Sequence, residues 1–344
     1  MSTPSVLVLY NQPLLPEDHP DAPSEITIVD IAQSIAGILR SAGYAVRLLA
    51  LGTDPEPLWA ELRGHRPDAA FNLYEGQVDN SETETYVAGL LEWSGVPFTG
   101  SPAHTLSLAR AKDRVKYLLK GAGLPTADFV LVDALPLPAW TFSFPVIVKP
   151  ARLDASVGVE QKSVCTNREE VEKRVEYILA TYGSPVLVEQ FIMGRELHVP
   201  VVELPELRTL SPREIQFPDP TPGAWPILTF DGKWNPASPA FDHAPPLIAK
   251  LPEATLRELD RVACRTFRLL DCRDYARIDF RMNERGQVFV LELNPNPEIS
   301  EEASFGGAEI PQRDLIVGLI ESALRRRNVS RPTFRFDAPS DVTE

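Results

Sequence analysis

Two acidic residues, Asp279 and Glu292, and an amide, Asn294, interrupt a stretch that otherwise reads as two apolar-alternating strands, RIDFRM from Arg277 and VFVLELN from Val288. With Arg285-Gly286 as a two-residue turn, Asp279 stands directly opposite Glu292. Side chains alternate along a strand, so Arg277, Asp279, Glu292 and Asn294 share one face, and Ile278, Phe280, Phe289, Leu291 and Leu293 cover the other. Facing carboxylates repel, and neither tolerates burial as an unpaired ion. A divalent cation reverses the sign of that interaction. Magnesium takes carboxylate and carbonyl oxygens together with substrate phosphates, so D…E-x-N on adjacent strands suits a nucleotide-metal site. The polar side of a solvent-facing hairpin would show the same pattern.

Further upstream, FPVIVKP from Phe144 to Pro150 is an apolar strand ending in Lys149, followed by the small-residue loop ARLDASVG. A lysine that finishes a buried strand calls for a partner, and a loop of small residues brings backbone N–H groups to an anion. Together they resemble a phosphate clamp, although an edge lysine before an ordinary hairpin loop has the same spacing. Val188-Glu189-Gln190-Phe191-Ile192 ends another strand just before Gly194-Arg195-Glu196. Backbone groups beside an exposed Glu189 carboxylate would read the amino edge of adenine, and Glu196 is spaced to accept from ribose hydroxyls.

These groups need a scaffold, and hydrophobic periodicity supplies one. Strand, helix and strand signals alternate at Val6 to Tyr10, at a helix with Ile31, Ile35, Ile38 and Leu39 on one face, and at Val46 to Leu51. Ala69 to Leu73 reads as a further buried strand, and Ser81-x-x-Glu84 as a capping box that opens a helix running to Gly95. The pattern predicts a doubly wound α/β domain with a parallel sheet. It contains neither the dinucleotide fingerprint nor the P-loop. A second unit holds a helix from about Lys112 to Ala122, strands at Phe129 to Val132 and Val146 to Lys149, a helix over 168 to 182 capped by Asn167, and a strand at Val186 to Glu189. Alternation resumes at Arg195 and gives way over 217 to 246 to a long Pro-, Gly- and Asp-rich stretch of the kind that is functional or disordered. A helix from Pro252 to Leu270, the hairpin and a last helix near 311 to 326 complete a third unit. The expected bounds are 1–101, 102–190 and 191–328, with a flexible tail over 329–344.

Composition narrows the class. The 344 residues, 44% apolar and 24% charged, describe a soluble chain with more than one core. A net charge of -14 opposes tracking of nucleic acid or an anionic membrane. Arg325-Arg326-Arg327 reads as a solvated helix terminus, where cations complement the macrodipole. Cys165, Cys264 and Cys272 form no even framework and no paired metal motif, so they read as reduced thiols. With no long apolar run and no basic-then-apolar opening, the expected location is cytoplasmic. Tyr86, Leu90 and Trp93 form an apolar face that could serve a homodimer as easily as a core.

The order Lys112, Lys149 with its loop, Glu189 to Glu196, Lys233, Arg277, Asp279, Glu292, Asn294 resembles the ATP-grasp superfamily. Within it, FNLYEG, GLLEWSGVPFTGS, ARAKDRVKYLLKGAGLPT, FPVIVKPARLDASVG, VLVEQFIMGRE and YARIDFR…VLELNPNP are similar to the D-alanine-D-alanine ligase group. The resemblance implies an ATP-grasp fold whose two α+β lobes sandwich ATP behind the N-terminal domain. It also implies formation of an amide from a small-molecule carboxylate and amine through an acylphosphate. ATP would meet Lys112, Lys149, Ala155, Ser156, Glu189, Gln190, Phe191, Ile192, Glu196 and Lys233. Asp279, Glu292 and Asn294 would bind two magnesium ions, or manganese in their place. Arg277, Lys233, Ser156 and Glu25 would be the catalytic side chains, with Arg277 stabilising the charge of the tetrahedral oxyanion.

The resemblance breaks in the substrate loops. Tyr10-Asn11-Gln12-Pro13 stands where the dipeptide-forming ligases have a glycine-rich opening, leaving Glu25 as an amine-binding candidate outside its usual frame. Trp234 follows Lys233 where those ligases have a tyrosine. After Asn294 the ligases continue N-T-x-P-G-M-T-x-x-S, whereas this chain reads NPNPEISEEA, with Glu298 in place of the glycine and Ala303 in place of the serine. A carboxylate at 298 disfavours an acceptor that carries its own carboxylate. A small-molecule kinase that stops at phosphoryl transfer, and a silent ATP-binding regulatory module, remain as the other classes.

Overall fold

The computed structural model describes residues 3–15, 22–77, 80–153, 156–183, 185–217, 223–234, 246–300, 303–305 and 309–327, and the side chains of 22–26, 233 and 234 fall outside that description. The expected tail therefore lies outside the described residues.

The N-terminal unit runs β1 (Ser5–Asn11), α1 (Ala22–Ser41), β2 (Ala45–Leu51), α2 (Glu56–Gly64), β3 (Ala69–Leu73) and α3 (Thr83–Ser94). Its strands pair in parallel in the order β2-β1-β3. Both faces of the sheet are apolar because both are covered. Val6, Val8 and Phe71 pack with Ile35 and Leu39 of α1, while Leu7, Leu9 and Ala70 pack with Leu58 of α2 and Leu91 of α3. This is the doubly wound arrangement that the alternation implies. Helix α2 has no counterpart in the sequence reading, since Pro55 and Pro57 mark its start as a loop although proline is tolerated in a first helical turn. The capping box at Ser81 does not form. The N-cap of α3 is Glu82 with no side-chain cap bond, and the Ser81 hydroxyl instead accepts from Arg110. Tyr86 and Trp93 are exposed on the outer face of α3, so neither belongs to the core.

The central unit contains α4 (Ala103–Arg110), α5 (Lys112–Gly121), β4 (Phe129–Val132), β5 (Val146–Pro150), β6 (Val164–Cys165), α6 (Arg168–Tyr182) and β7 (Val186–Gln190). Its strands form an antiparallel sheet in the order β4-β7-β5-β6. Asn167 caps α6 by accepting from the Glu170 N–H at 3.0 Å, which lets Val171, Val175 and Ile178 pack beneath Val146 and Val188.

The last unit comprises β8 (Arg195–Glu203), β9 (Leu207–Thr209), β10 (Arg213–Ile215), α7 (Phe230–Trp234), β11 (Pro246–Ile248), α8 (Glu253–Leu269), β12 (Tyr275–Met282), β13 (Val288–Asn294) and α9 (Gln312–Arg327). An antiparallel sheet in the order β11-β10-β8-β12-β13, with β9 added to β8, buries Leu197, Val199, Ile278 and Phe280 against Leu259, Val262 and Phe267 of α8. Val115 and Leu119 of α5 join the same core, which fixes α5 and its lysines against this sheet.

Helix α9, expected with the third unit, packs on the first as well: Ile316, Leu319 and Ile320 share a core with Val6, Val8 and Phe71 and with Val202 and Tyr275 of the third. The arginine run at its end is consequently not a uniformly solvated terminus. Arg326 pairs with both oxygens of buried Asp274, at 2.6 and 2.8 Å, and donates to the Phe98 carbonyl at 2.6 Å. A buried carboxylate requires such a partner. Arg325 does stay exposed, and Arg327 is half-exposed beside Asp68.

The hairpin that carries Asp279 has a different turn from the expected one. Asn283 N–H donates to the Gln287 carbonyl at 3.0 Å and Gly286 N–H to the Asn283 carbonyl at 2.9 Å, closing a three-residue loop over 284–286. Gly286 takes the left-handed conformation such loops require, with φ 75°. The extra residue is absorbed by a bulge, so Phe280 pairs with Val290 while Asp279 still faces Glu292 and Arg277 faces Asn294. The predicted pairing is kept, but beyond the bulge the faces swap. Val288 and Val290 enter the core in place of Phe289 and Leu291, which turn toward the cleft.

Candidate active site

Between the two antiparallel sheets lies a cleft. Lys112, Lys149, Ser156, Glu189, Gln190, Phe191, Ile192, Glu196, Asp279 and Glu292 all line it, with Ala127, Ile147, Val159 and Leu291 as apolar walls. Residues far apart in sequence thus form one surface. Arg277 and Asn294 join it through Asp279.

At one end the chemistry is cationic. Lys149 Nζ lies 2.7 Å from Glu189 Oε1, and Lys116 Nζ lies 2.6 Å from Glu189 Oε2 and donates to Thr126 Oγ1 at 2.8 Å. Glu189 is only 1% exposed, so the carboxylate expected to be open is enclosed. Burial alone would raise its pKa, but the two ammoniums outweigh it and hold the group below the usual carboxylate range. Burial lowers the Lys116 pKa against the pull of Glu189. Two lysines share one anion, leaving a net positive charge suited to phosphate. Lys112 Nζ donates to the Leu153 carbonyl at 2.7 Å and stands 3.8 Å from Glu292, and the Lys112 N–H donates to the Ala151 carbonyl at 3.0 Å. The start of α5 is therefore docked on the loop that follows Lys149.

That loop is itself tightly shaped. Ser156 is left-handed with φ 61°, and its carbonyl accepts from the Val159 N–H at 2.9 Å. A Cβ on Gly158 would lie 3.0 Å from Pro150 and Tyr182, at a φ of 71° that side chains resist. The Val159 carbonyl takes the Phe230 N–H at 3.0 Å, which sets α7 beside the loop. The backbone of Lys233 and Trp234 is thereby placed, whereas their side chains, that of Glu25 on α1, and Ala155 altogether lie outside the described residues.

The other end is acidic. Asp279 is 2% exposed and takes two hydrogen bonds from Arg277, at 2.7 and 2.9 Å, and one from Asn294 Nδ2 at 2.8 Å. Among the described residues no three His, Cys, Asp or Glu side chains form a metal-holding group. The third oxygen here belongs to an amide. Asp279, Glu292 and Asn294 through its Oδ1 make a hard, all-oxygen donor set that fits magnesium, with the amide of Asn294 turned over from its present donor role.

Three side chains escaped the sequence reading. Lys116 lies one turn beyond Lys112 on α5, and Arg281 continues the Arg277, Asp279 alternation, so the spacing of both carried a signal. Arg281 donates to the Ile192, Gly194 and Pro226 carbonyls at 3.0 to 3.1 Å, reaches Glu196 at 3.3 Å and stacks over the Phe191 ring at 5.2 Å. It thereby holds the backbone that follows β7, around Phe191 and Ile192. His198, two residues after Glu196, also lines the cleft.

Outside the cleft, at the carboxyl end of β3, a second cluster joins the N-terminal and last units. Tyr275 donates its hydroxyl to Asn296 Oδ1 at 2.7 Å, and Asn296 Nδ2 donates to the Tyr74 carbonyl and Glu84 Oε1, both at 3.3 Å. This fastening brings Glu75 and Glu298 within electrostatic reach of each other. Glu75 keeps surface toward solvent, yet the protein crowded around its carboxyl, followed by the Glu298 charge, pushes its pKa up to about 7.

The family described as "D-ala D-ala ligase C-terminus" matches residues 118–310. The chain belongs to the D-alanine-D-alanine ligase family. It is 32% identical over 302 residues to a D-alanine--D-alanine ligase of Gluconobacter oxydans, covering 84% of this chain and 91% of that one. It is 30% identical over 324 residues to a Sinorhizobium fredii protein called "Uncharacterized protein y4sG", covering 90% and 92%. The fold matches a crystal structure of D-alanine--D-alanine ligase from Bacillus anthracis complexed with ATP, with a TM-score of 0.68 at 18% identity over 94% of this chain and 98% of that one. The expected ATP-grasp α/β fold is thus borne out, and the family makes this chain an ATP-dependent C–N ligase. No helix among the described residues is long and apolar enough to cross a membrane.

Proposed function

We propose that this ligase joins a small-molecule carboxylate to an amine through an acylphosphate, and that its acceptor is a cationic amine without an α-carboxylate rather than D-alanine. The observation that carries the chemistry is the meeting of Lys112, Lys149, Asp279 and Glu292 in one cleft. The lysines hold the ATP phosphates while Glu196 accepts from the ribose and the Gln190 to Ile192 backbone takes the adenine. The donor carboxylate attacks the γ-phosphate in line, and ADP leaves. The amine then adds to the acyl carbon, Arg277 steadies the oxyanion, and the carbon–oxygen bond breaks to release phosphate. Magnesium held by Asp279, Glu292 and Asn294 would neutralise phosphate charge when bound. In the same reading the protein acts in the cytoplasm, as a homodimer through the exposed face of α3 that carries Tyr86 and Trp93.

The acceptor assignment is supported by Glu298, where the dipeptide ligases have glycine, and by Glu75 opposite it. Two neighbouring carboxylates repel a third and attract a cation. Glu298→Gly should raise KM for a cationic acceptor about tenfold and lower it for amino acids, by removing a repulsive element. Glu75, with its pKa near 7, is neutral below that value and charged above it. The apparent KM for a cationic acceptor, corrected for the acceptor's own ionisation, should therefore fall as pH rises through about 7. Glu75→Gln should flatten that profile. A screen of carboxylate and amine pairs, scored by magnesium-dependent ADP release and product mass, tests the whole reading. D-Ala-D-Ala formation at rates typical of a dedicated dipeptide ligase would contradict the acceptor assignment.

A further inference from the structure

We propose that His198 is a positioning residue that ties the ribose end of the cleft to its metal end, so that nucleotide and divalent cation bind as a coupled pair. This rests on the ATP-site reading above. His198 sits on β8 two residues after Glu196 and so shares its face. The β8–β12 register sets it directly opposite Asp279. His198 is 6% exposed, with Nε2 3.4 Å from Glu196 Oε1 and 3.7 Å from Asp279 Oδ2. One imidazole nitrogen therefore stands between two buried carboxylates that have different tasks.

Each carboxylate is held by other side chains as well, Glu196 by Arg281 at Oε2 and Asp279 by Arg277 at both oxygens and by Asn294 at Oδ2. His198 is the bridge between these two halves. A cation that draws the Asp279 charge toward itself leaves the Nε2–H to Glu196, which steadies Glu196 for a ribose hydroxyl. By reciprocity, a nucleotide that fixes Glu196 must favour cation binding by the same factor. Groups that orient metal-binding side chains in this way change metal affinity about 10- to 100-fold when removed. Without the imidazole the two carboxylates respond independently.

The test is isothermal titration of ADP, which binds without turnover, into the full-length protein with and without magnesium. The quantity read is the ratio of the two dissociation constants. His198→Ala should lower this ratio by about tenfold relative to wild type. His198→Gln, which keeps an N–H donor, should stay within about threefold of wild type by the same scale. An unchanged ratio in a folded His198→Ala protein overturns the proposal. So does a Gln variant that loses the coupling as fully as Ala, since ring volume and not hydrogen bonding would then be responsible. If His198→Ala does not fold, the closer-sized His198→Leu replaces it under the same criteria. Wild-type protein that binds no ADP in a magnesium-dependent way would instead defeat the ATP-site reading, which separates the two failures.

Discussion

Arg277→Ala should lower kcat by about a hundredfold to a thousandfold, the usual effect of removing a donor to a developing oxyanion. The KM for ATP should change far less, because Arg277 does not line the nucleotide cleft and reaches it only through Asp279. Its guanidinium lies two residues before Asp279 on the same strand face and grips that carboxylate with two parallel hydrogen bonds. The planar fork fixes where its positive charge sits, and a lysine cannot reproduce that geometry. Arg277→Lys should therefore recover only a small part of the rate. Steady-state phosphate release, with thermal melting to confirm folding, measures both variants. An Arg277→Ala enzyme within about threefold of wild type would remove Arg277 from the oxyanion role, whose normal cost is far larger.

Glu189→Gln should produce the largest loss of stability, about 3 to 5 kcal/mol, as expected when one partner of a buried ion cluster is removed. Lys116 and Lys149 both reach Glu189 within 2.7 Å, and Lys116 and Glu189 are each at most 2% exposed. Without the carboxylate, two ammoniums share a dry site with no counter-charge. Urea unfolding measures the loss, and combining Glu189→Gln with Lys116→Met should cost less than the sum of the single changes. The sign of the pH dependence follows from the depressed Glu189 pKa. Its contribution is present above the unfolded carboxylate value of about 4.3 and is lost as pH falls through the lower folded value. The variant should show a weaker acid-side loss than wild type. A Glu189→Gln protein within about 1 kcal/mol of wild type would show that the lysines shed their charge instead of enduring it.

Local periodicity made most of the scaffold legible. The bounds of β3 and β4, the cap at Asn167 and the extent of α8 all follow from spacing, since each is settled by neighbours a few residues away. Long-range partners were harder to read. Nothing near Glu189 announces that two lysines, from α5 and from β5, will enclose it, so it read as an open carboxylate. Arg326 looked like a solvated helix end because its partner, Asp274, is more than fifty residues away. In the hairpin, the misread turn and the unforeseen bulge cancelled, so the Asp279–Glu292 pairing survived while the roles of Phe289, Leu291, Val288 and Val290 were exchanged. A period of two fixes a face only while the register runs unbroken.

The family's shared positions and this chain's own positions also divide along the molecule. The cleft that would hold ATP is built from residues the resemblance anticipates, together with Lys116, Arg281 and His198, which the geometry adds. Glu298 departs from the family pattern, whereas Glu75 beside it lies within FNLYEG, a stretch that the pattern shares. In the proposed reading, the charge at Glu298 would set the acceptor apart.

Oxygen transfer tests the proposed acylphosphate most directly. A donor carboxylate carrying ¹⁸O at both oxygens, incubated with ATP, magnesium, the acceptor amine and the protein, should deliver one labelled oxygen to each inorganic phosphate released, as read by mass spectrometry. Attack on the γ-phosphate followed by carbon–oxygen cleavage requires that transfer. Unlabelled phosphate accompanying amide product, or a stable phosphorylated compound with no phosphate released, would contradict it.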